Sequence, residues 1–371
     1  MSTSNVLLVG SMPHDSVEEV FTACATALGT HVPALPDGEV GDRRDWTNFL
    51  PMRVYSAHPD LEEVQRPPGG VMVQPDRESG PGGVTAASED ETTIWTFRLK
   101  PGVTGLEFTD LGYGTIAIDS FRVFQRLRDE GVIPAGVRFQ ACFPGSSSAV
   151  DEFFADPSEW LTAKRAYEDA VERELARMLE VIPAGELAVQ FDFCWEVMDL
   201  SAGDATLLRR WPSFNYEQKL ERHTASLDRL WRGVPDDSLL GYHWCYGTWG
   251  GWPMTEMRDL GLCVDLSNQA VARSGRRVDY LHMPVVREPD DAFFAPLGRL
   301  AIGDAKLYLG LIHASDDVEG FRRRLALARR YREDVGVAGV CGYGRVDPAE
   351  LPRVLDVHRE CAAELESAPA R

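Results

Sequence analysis

Leu239-Leu240-Gly241-Tyr242-His243-Trp244-Cys245 is the stretch on which the reading of the fold turns. Its first six residues form a short apolar run of the kind that fills a buried strand of a parallel sheet. Residues i and i+2 of a strand share a face, so His243 and Cys245 point to one side. An amphipathic stretch at 256–274 follows, and this order of apolar run and helix recurs along the chain. Run 5–10 precedes 16–28, run 137–143 precedes a helical region ending at 182, and run 187–193 precedes 216–231. Run 278–283 precedes 290–297, run 306–312 precedes 318–334, and run 336–341 precedes 348–365. Seven β–α units are thus visible, and 32–35 is the best strand for an eighth. Repeated β–α order predicts a parallel sheet, and eight units predict an α/β fold, a (β/α)8 TIM barrel. A doubly wound open sheet is the structural competitor, but it usually carries a Gly-rich phosphate loop after an early strand. Gly10-Ser11-Met12-Pro13 does not match that pattern.

The bulk numbers narrow the class. At 371 residues the chain suits one barrel domain spanning 1–371. A formal charge of −20 argues against a non-specific nucleic-acid partner. No apolar stretch approaches a membrane span, and the opening run lacks the basic flank of a secretory signal. Seven cysteines without repeating spacing predict reduced thiols and a cytoplasmic home. Residues 51–105 break the β–α rhythm, being dense in Pro and Gly at 66–84 and strand-like at 92–100. They read as an insertion on the catalytic face, a hairpin or lid.

The chemistry-bearing residues fall where a barrel of this type keeps its active site, at the carboxyl ends of the strands. Ser11 follows the first strand, Glu39 the second, and Asp192 ends the fourth. His243 and Cys245 end the fifth, His282 the sixth, His313 the seventh and Cys341 the eighth. His243, Cys245 and Cys341 are three candidate ligands of a tetrahedral metal, with His282 the expected fourth. Thiolate-rich ligation favours Zn2+ over magnesium or calcium. Zinc so held can bind and ionise a substrate thiol, which then attacks an alkyl carbon. The bland alternative is three buried residues, since free cysteine is commonly buried. Trp244, Trp249 and Trp252 crowd the same segment and suggest an apolar or flat donor, with Trp244 a substrate contact, unless they only pack a loop.

Six short motifs, in order, resemble the catalytic barrel of cobalamin-independent methionine synthase, of the superfamily that includes uroporphyrinogen decarboxylase. Val9-Gly10-Ser11-Met12-Pro13 is similar to the family's Ile-Gly-Ser-Phe-Pro, Asp37-Gly38-Glu39 to its His-Gly-Glu, and Val189-Gln190-Phe191-Asp192 to its Gln-Ile-Asp-Glu-Pro strand. His243-Trp244-Cys245-Tyr246 resembles its His-Met-Cys-Tyr, Ile312-His313 its Ile-His-Ser, and Val340-Cys341-Gly342 its Asp-Cys-Gly. The resemblance implies that His243, Cys245 and Cys341 bind zinc. It implies that Ser11, Glu39 and Asp192 hold the amino-acid end of a homocysteine-like thiol. Asp192 and His313 would be the catalytic pair, His313 as the acid that protonates a poor leaving group.

The departures are informative. The family's fourth ligand is a glutamate on the sixth strand, where this chain has His282. Its Asp-Glu-Pro is reduced to Asp192, followed by Phe193-Cys194-Trp195-Glu196. There is no duplicated amino-terminal barrel, so a polyglutamyl-folate site is not expected. The reading is a stand-alone zinc-dependent transferase that joins a small-molecule thiol acceptor and an alkyl donor, needs no nucleic acid or membrane, and is compatible with a homo-oligomer. Three rivals stand beside it: a barrel like epoxyalkane:coenzyme M transferase, a metal-free barrel like uroporphyrinogen decarboxylase using Arg43 and Arg44, and a binding protein without chemistry.

Overall fold

The computed structural model describes residues 4–67, 94–207, 211–248 and 252–367. Ten strands run β1 Val6–Leu7, β2 Ala34–Pro36, β3 Leu61–Gln65, β4 Thr96–Leu99, β5 Arg138–Pro144, β6 Leu187–Phe193, β7 Leu239–Trp244, β8 Tyr280–Pro284, β9 Lys306–Ile312 and β10 Gly336–Gly339. Eight of them form one parallel sheet in the order β1-β10-β9-β8-β7-β6-β5-β2, so its two ends are consecutive strands. A hydrogen bond from Met12 N to Gly38 O at 2.9 Å joins the loops that leave β1 and β2. The result is a nearly closed (β/α)8 barrel, with β2 supplying the eighth strand inside the interval the sequence had left for it.

Barrel strands are buried on both faces, which is why they read as unbroken apolar runs. Alternation then sorts side chains between interior and helix layer. Inside, the Tyr280 ring lies over Gly241 and the Tyr308 ring over Gly336. A Cβ at either glycine would come within 2.1 Å or 2.4 Å of those rings. Above them sits a layer of two buried carboxamides. Gln190 donates to Val9 O at 2.6 Å, and Gln140 donates to Leu8 O and Val9 O at 3.0 and 3.1 Å. These carbonyls directly follow the short first strand, beside the seam of the barrel where no strand ladder forms between β1 and β2. The amides therefore satisfy buried acceptors that a closed ladder would otherwise serve.

Several expected helices are altered. The helix expected over 216–231 ends at Thr224 and continues as two 3-10 turns, and the one expected from 256 begins at Gly261. Helix Tyr113–Asp129 completes the second unit. Within the expected insertion, β3 and β4 pair antiparallel, and β4 is held by Phe97 N–Phe153 O and Ala155 N–Phe97 O bonds of 2.8 and 2.9 Å. Residues 153–155 follow the carboxyl end of β5, so the hairpin packs on that face. Most of 66–84, and Trp249, lie outside the described residues.

A buried ionic network sits behind β5 and β6. Asp199 accepts from Lys219, Arg222 and His223 at 2.9, 2.6 and 2.9 Å. His223 Nδ1 meets Ser147 Oγ at 2.8 Å. The Ser147–His223–Asp199 chain has the connectivity of a hydrolase triad. All three residues are buried, however, and Lys164 donates to the same hydroxyl at 2.7 Å. The network fastens the helices that follow β5 and β6 to one another.

Candidate metal centre and active site

His243 occupies the penultimate position of β7 with its side chain inward, and Cys245 follows two residues on. Cys341 lies two residues beyond β10. The Cys245 and Cys341 sulfurs are 3.7 Å apart, and Cys341 Sγ is 3.7 Å from His243 Nε2. In a tetrahedron with metal–sulfur bonds near 2.3 Å and metal–nitrogen bonds near 2.0–2.1 Å, a sulfur–sulfur edge is about 3.8 Å and a sulfur–nitrogen edge about 3.6 Å. The two measured edges match, so the residues fit a zinc ion.

The imidazole tautomer is set by partners behind it. His282 Nε2 lies 2.9 Å from Gly339 O. A carbonyl only accepts, so that nitrogen carries the hydrogen. Burial pushes His282 down to about 3, leaving the ring neutral and its Nδ1 bare. His243 Nδ1, 2.6 Å away, must donate to it. His243 is itself held neutral, far below its usual range, by burial and then by His282. Its Nε2 is therefore bare and faces Cys341, as a metal ligand requires. This placement corrects the expectation for His282. Both of its ring nitrogens are engaged, so it orients a candidate ligand instead of joining the set.

The thiols are not preformed thiolates. The hydrogen bond with Cys194, then burial, raises Cys245 well above the ordinary cysteine range. The hydrogen bond with Cys245, then burial, does the same to Cys341. A cation must enter before they ionise, because a buried unpaired charge is costly.

A second cluster adjoins the first. Asp192 pairs in register with His243 across β6 and β7. Its carboxylate, that of Glu39 and the Cys142 sulfur all lie within 4.8 Å of one another. Glu39 follows Gly38, at φ 80°, and itself has φ 53°. Left-handed backbone at a non-glycine residue costs about 1–3 kcal/mol and concentrates at functional sites. Here it turns the Glu39 carboxyl over Gly10, where a Cβ would stand 3.4 Å from Oε1. Asp37, bonded to Arg43 and to Ser120 Oγ, braces the turn by accepting Glu39 N at 3.2 Å. Burial raises Glu39 to about 7, with Arg43 opposing and Asp37 adding to the shift. Asp192 is raised well above its usual range by burial, then by Glu39, although Gln190 donates to it at 2.8 Å. Two enclosed acids so close together, one of them raised by the other, make a site for a cation, which would return both to the charged state.

Ser11 lies against the loop that carries Cys341. Its carbonyl accepts Tyr343 N at 2.7 Å and its hydroxyl accepts Gly344 N at 3.3 Å. A Cβ on Gly342 would stand 2.3 Å from that hydroxyl, so glycine is required for the approach. His313 caps β9, with Nε2 at 2.9 Å from Val285 O and its ring 5.7 Å from that of Trp252. Burial, then Arg324, pushes it down to about 4. Trp244 is corrected outright. Since His243 and Cys245 point inward, Trp244 must point outward, and its Nε1 donates to Ser267 Oγ in the helix layer at 2.7 Å. The aromatic beside the site is Trp252. Arg43 is committed to Asp37, and Arg44 bonds His14 O and Asp15 on the surface, so neither is arranged as a decarboxylase would need. The sequence reading missed Cys142, which lies inside β5 beside Glu39 and Asp192.

No protein-family model and no curated protein matches the chain. Solved structures do. The B12-independent methionine synthase from Shewanella sp. W3-18-1, in complex with selenomethionine, superposes with a TM-score of 0.60 at 13% identity, covering 95% of this chain and 87% of that one. A Listeria monocytogenes structure assigned as a vitamin-B12 independent methionine synthase superposes with a TM-score of 0.56 at 13% identity, covering 94% and 86%. At that identity the likeness is one of fold, a (β/α)8 barrel shared over nearly its whole length. Among the described residues no helix is long and apolar enough to cross a membrane.

Proposed function

We propose that this chain is a zinc-dependent transferase that moves an alkyl group, methyl in the first instance, onto the thiol of homocysteine or a related amino-acid thiol. The observation that carries the reading is the donor set. Two sulfurs and a bare imidazole nitrogen stand together at the mouth of a barrel, with two of their three separations at tetrahedral edge lengths. The motif resemblance and the barrel shared with two methionine synthase structures support the same choice.

His243, Cys245 and Cys341 would hold the ion, with His282 fixing the tautomer of His243. Zinc bound there supplies positive charge that ionises a substrate thiol near neutral pH, while its sulfur ligands keep that thiolate nucleophilic. Glu39 and Asp192 would take the substrate's α-ammonium between them, which compensates the charge their enclosure disfavours. Ser11, on the loop against Cys341, would meet the remainder of the amino-acid end. Trp252 offers an aromatic face beside His313 for the donor. His313 donates through Nε2 in this state and is neutral at pH 7, so its bare nitrogen accepts a proton. It serves as an acid only when an anionic donor or leaving group beside it raises its pKa.

The test is metal analysis of protein purified without a metal-binding tag, followed by alkylation of homocysteine with methyl iodide. One zinc per chain and zinc-dependent S-methylation are expected. A protein that takes up no zinc under reducing conditions, or that methylates homocysteine equally well without it, refutes the reading.

A further inference from the structure

Beside the carboxyl groups of Glu39 and Asp192 stands a sulfur. Cys142 is buried in β5, and its Sγ lies within 4.8 Å of an oxygen of each acid. The amide nitrogens of Gln140 and Gln190 stand 3.5 and 3.7 Å from that sulfur, yet neither has a hydrogen left for it. A carboxamide carries two N–H hydrogens. Gln190 gives its two to Val9 O at 2.6 Å and Asp192 Oδ1 at 2.8 Å. Gln140 gives its two to Leu8 O and Val9 O at 3.0 and 3.1 Å. The thiol turns its own proton to Val9 O at 3.5 Å. Burial, then Asp192 and Glu39, raise Cys142 well above the ordinary cysteine range, so that proton stays on the sulfur. Its lone pairs remain free to accept. Gln140 Oε1, on the amide beside the sulfur, is buried and has no hydrogen-bond partner. The cluster thus gathers acceptors without a donor, which points to a ligand that only donates. An alkylammonium has that character. Its three N–H bonds diverge tetrahedrally, so oxygen and sulfur acceptors about 2.8–3.4 Å from the nitrogen stand roughly 4.5–5 Å apart. The 4.8 Å span of the three atoms suits such a group.

We propose that Cys142 Sγ is the third acceptor of the substrate's α-ammonium, beside Glu39 and Asp192, and that it confines the site to thiols bearing a primary amine. The inference rests on the reading of Glu39 and Asp192 as the amino-acid subsite. Each N–H then has its own partner, and an N-methyl group would have to displace one of them.

Calorimetric titration with L-methionine tests the contact, because this thioether carries the same α-ammonium and its binding needs no turnover. Wild type, Cys142→Ala and Cys142→Ser are each titrated with L-methionine and with N-methyl-L-methionine. The wild type should prefer methionine by about tenfold, the worth of one hydrogen bond to a charged group. Cys142→Ala should bind methionine about tenfold more weakly and lose the preference, since the N-methyl group fits the space of the deleted sulfur. Cys142→Ser keeps an acceptor and should keep the preference, with zinc content equal in all three proteins. A wild type that binds both ligands alike, or binds neither, overturns the proposal. So does a preference that persists in Cys142→Ala, or a second zinc per chain that disappears with the sulfur. If the alanine variant does not fold, the wild-type ratio decides alone. A wild type that discriminates the two amines but shows no zinc-dependent methylation refutes the transferase reading and leaves the amine contact standing. Zinc-dependent methylation without amine discrimination does the reverse.

Discussion

Replacing His282 by phenylalanine separates a residue that positions a ligand from one that is a ligand. The ring keeps its place in the packing, 4.7 Å from that of His243, but two polar partners are lost. His243 Nδ1–H loses its acceptor at 2.6 Å, and Gly339 O loses its donor at 2.9 Å. Each buried group left unpaired costs about 1–3 kcal/mol, so the metal-free protein should lose roughly 2–6 kcal/mol of stability. With about 2.1 cal/mol/K of unfolding entropy per residue, a chain of 371 residues shows that as a fall in Tm of about 3–8 °C. The effect on zinc is separate. His243 can now carry its hydrogen on either nitrogen, and the ring is no longer aimed. Loss of such an outer partner costs about 10–100-fold in metal affinity, or roughly 1.4–2.7 kcal/mol. Chelator competition measures that affinity, and zinc X-ray absorption counts the ligands. The expected result is weaker zinc with an unchanged ligand count. Wild-type affinity in the variant would refute the tautomer argument. A lost nitrogen, with affinity as poor as in His243→Phe, would make His282 a ligand after all.

Cys245→Ala and Cys341→Ala should each lose zinc and activity while the circular dichroism spectrum persists, and full zinc occupancy in either would remove that residue from the site. Glu39 gives a prediction with a sign. Its folded pKa of about 7 stands above the ordinary value of 4.5, so protonation favours the fold, and stability falls as pH rises from 4.5 through 7. The loss is on the order of 3 kcal/mol. Glu39→Gln should therefore raise Tm of the substrate-free protein at pH 8 but not at pH 4, while raising KM for homocysteine with zinc content unchanged. A pH-independent difference in Tm would contradict it. Asp199→Ala leaves buried Lys219 and partly buried Arg222 without their shared carboxylate and should cost about 3–5 kcal/mol in urea unfolding. A loss below 1 kcal/mol would mean those cations find other partners.

Runs of apolar residues at 187–193, 239–244 and 306–312 became strands with those limits, because a strand buried on both faces must be apolar throughout. The same spacing that turned His243 and Cys245 inward also required Trp244 to face outward. That consequence was legible in the sequence and was overridden by the clustering of tryptophans. Helix Tyr113–Asp129 is harder to see, since it follows a stretch whose Pro and Gly content hides the β–α rhythm.

By itself, the sequence determined the barrel and the strand ends at which chemistry gathers, since both follow from local periodicity and chain order. Which groups act together was decided by tertiary structure. His243 and His282 stand side by side in register on neighbouring strands, and nothing in their spacing tells the ligand from the residue that orients it. The Gly339 carbonyl, donated by a strand 57 residues away, occupies one face of His282 and fixes its proton. Closure of the barrel brings Cys341 to Cys245 across 96 residues of chain. Hydrogen-bond direction and a metal's coordination number depend on distances between groups remote in sequence, and only the closed barrel sets those distances.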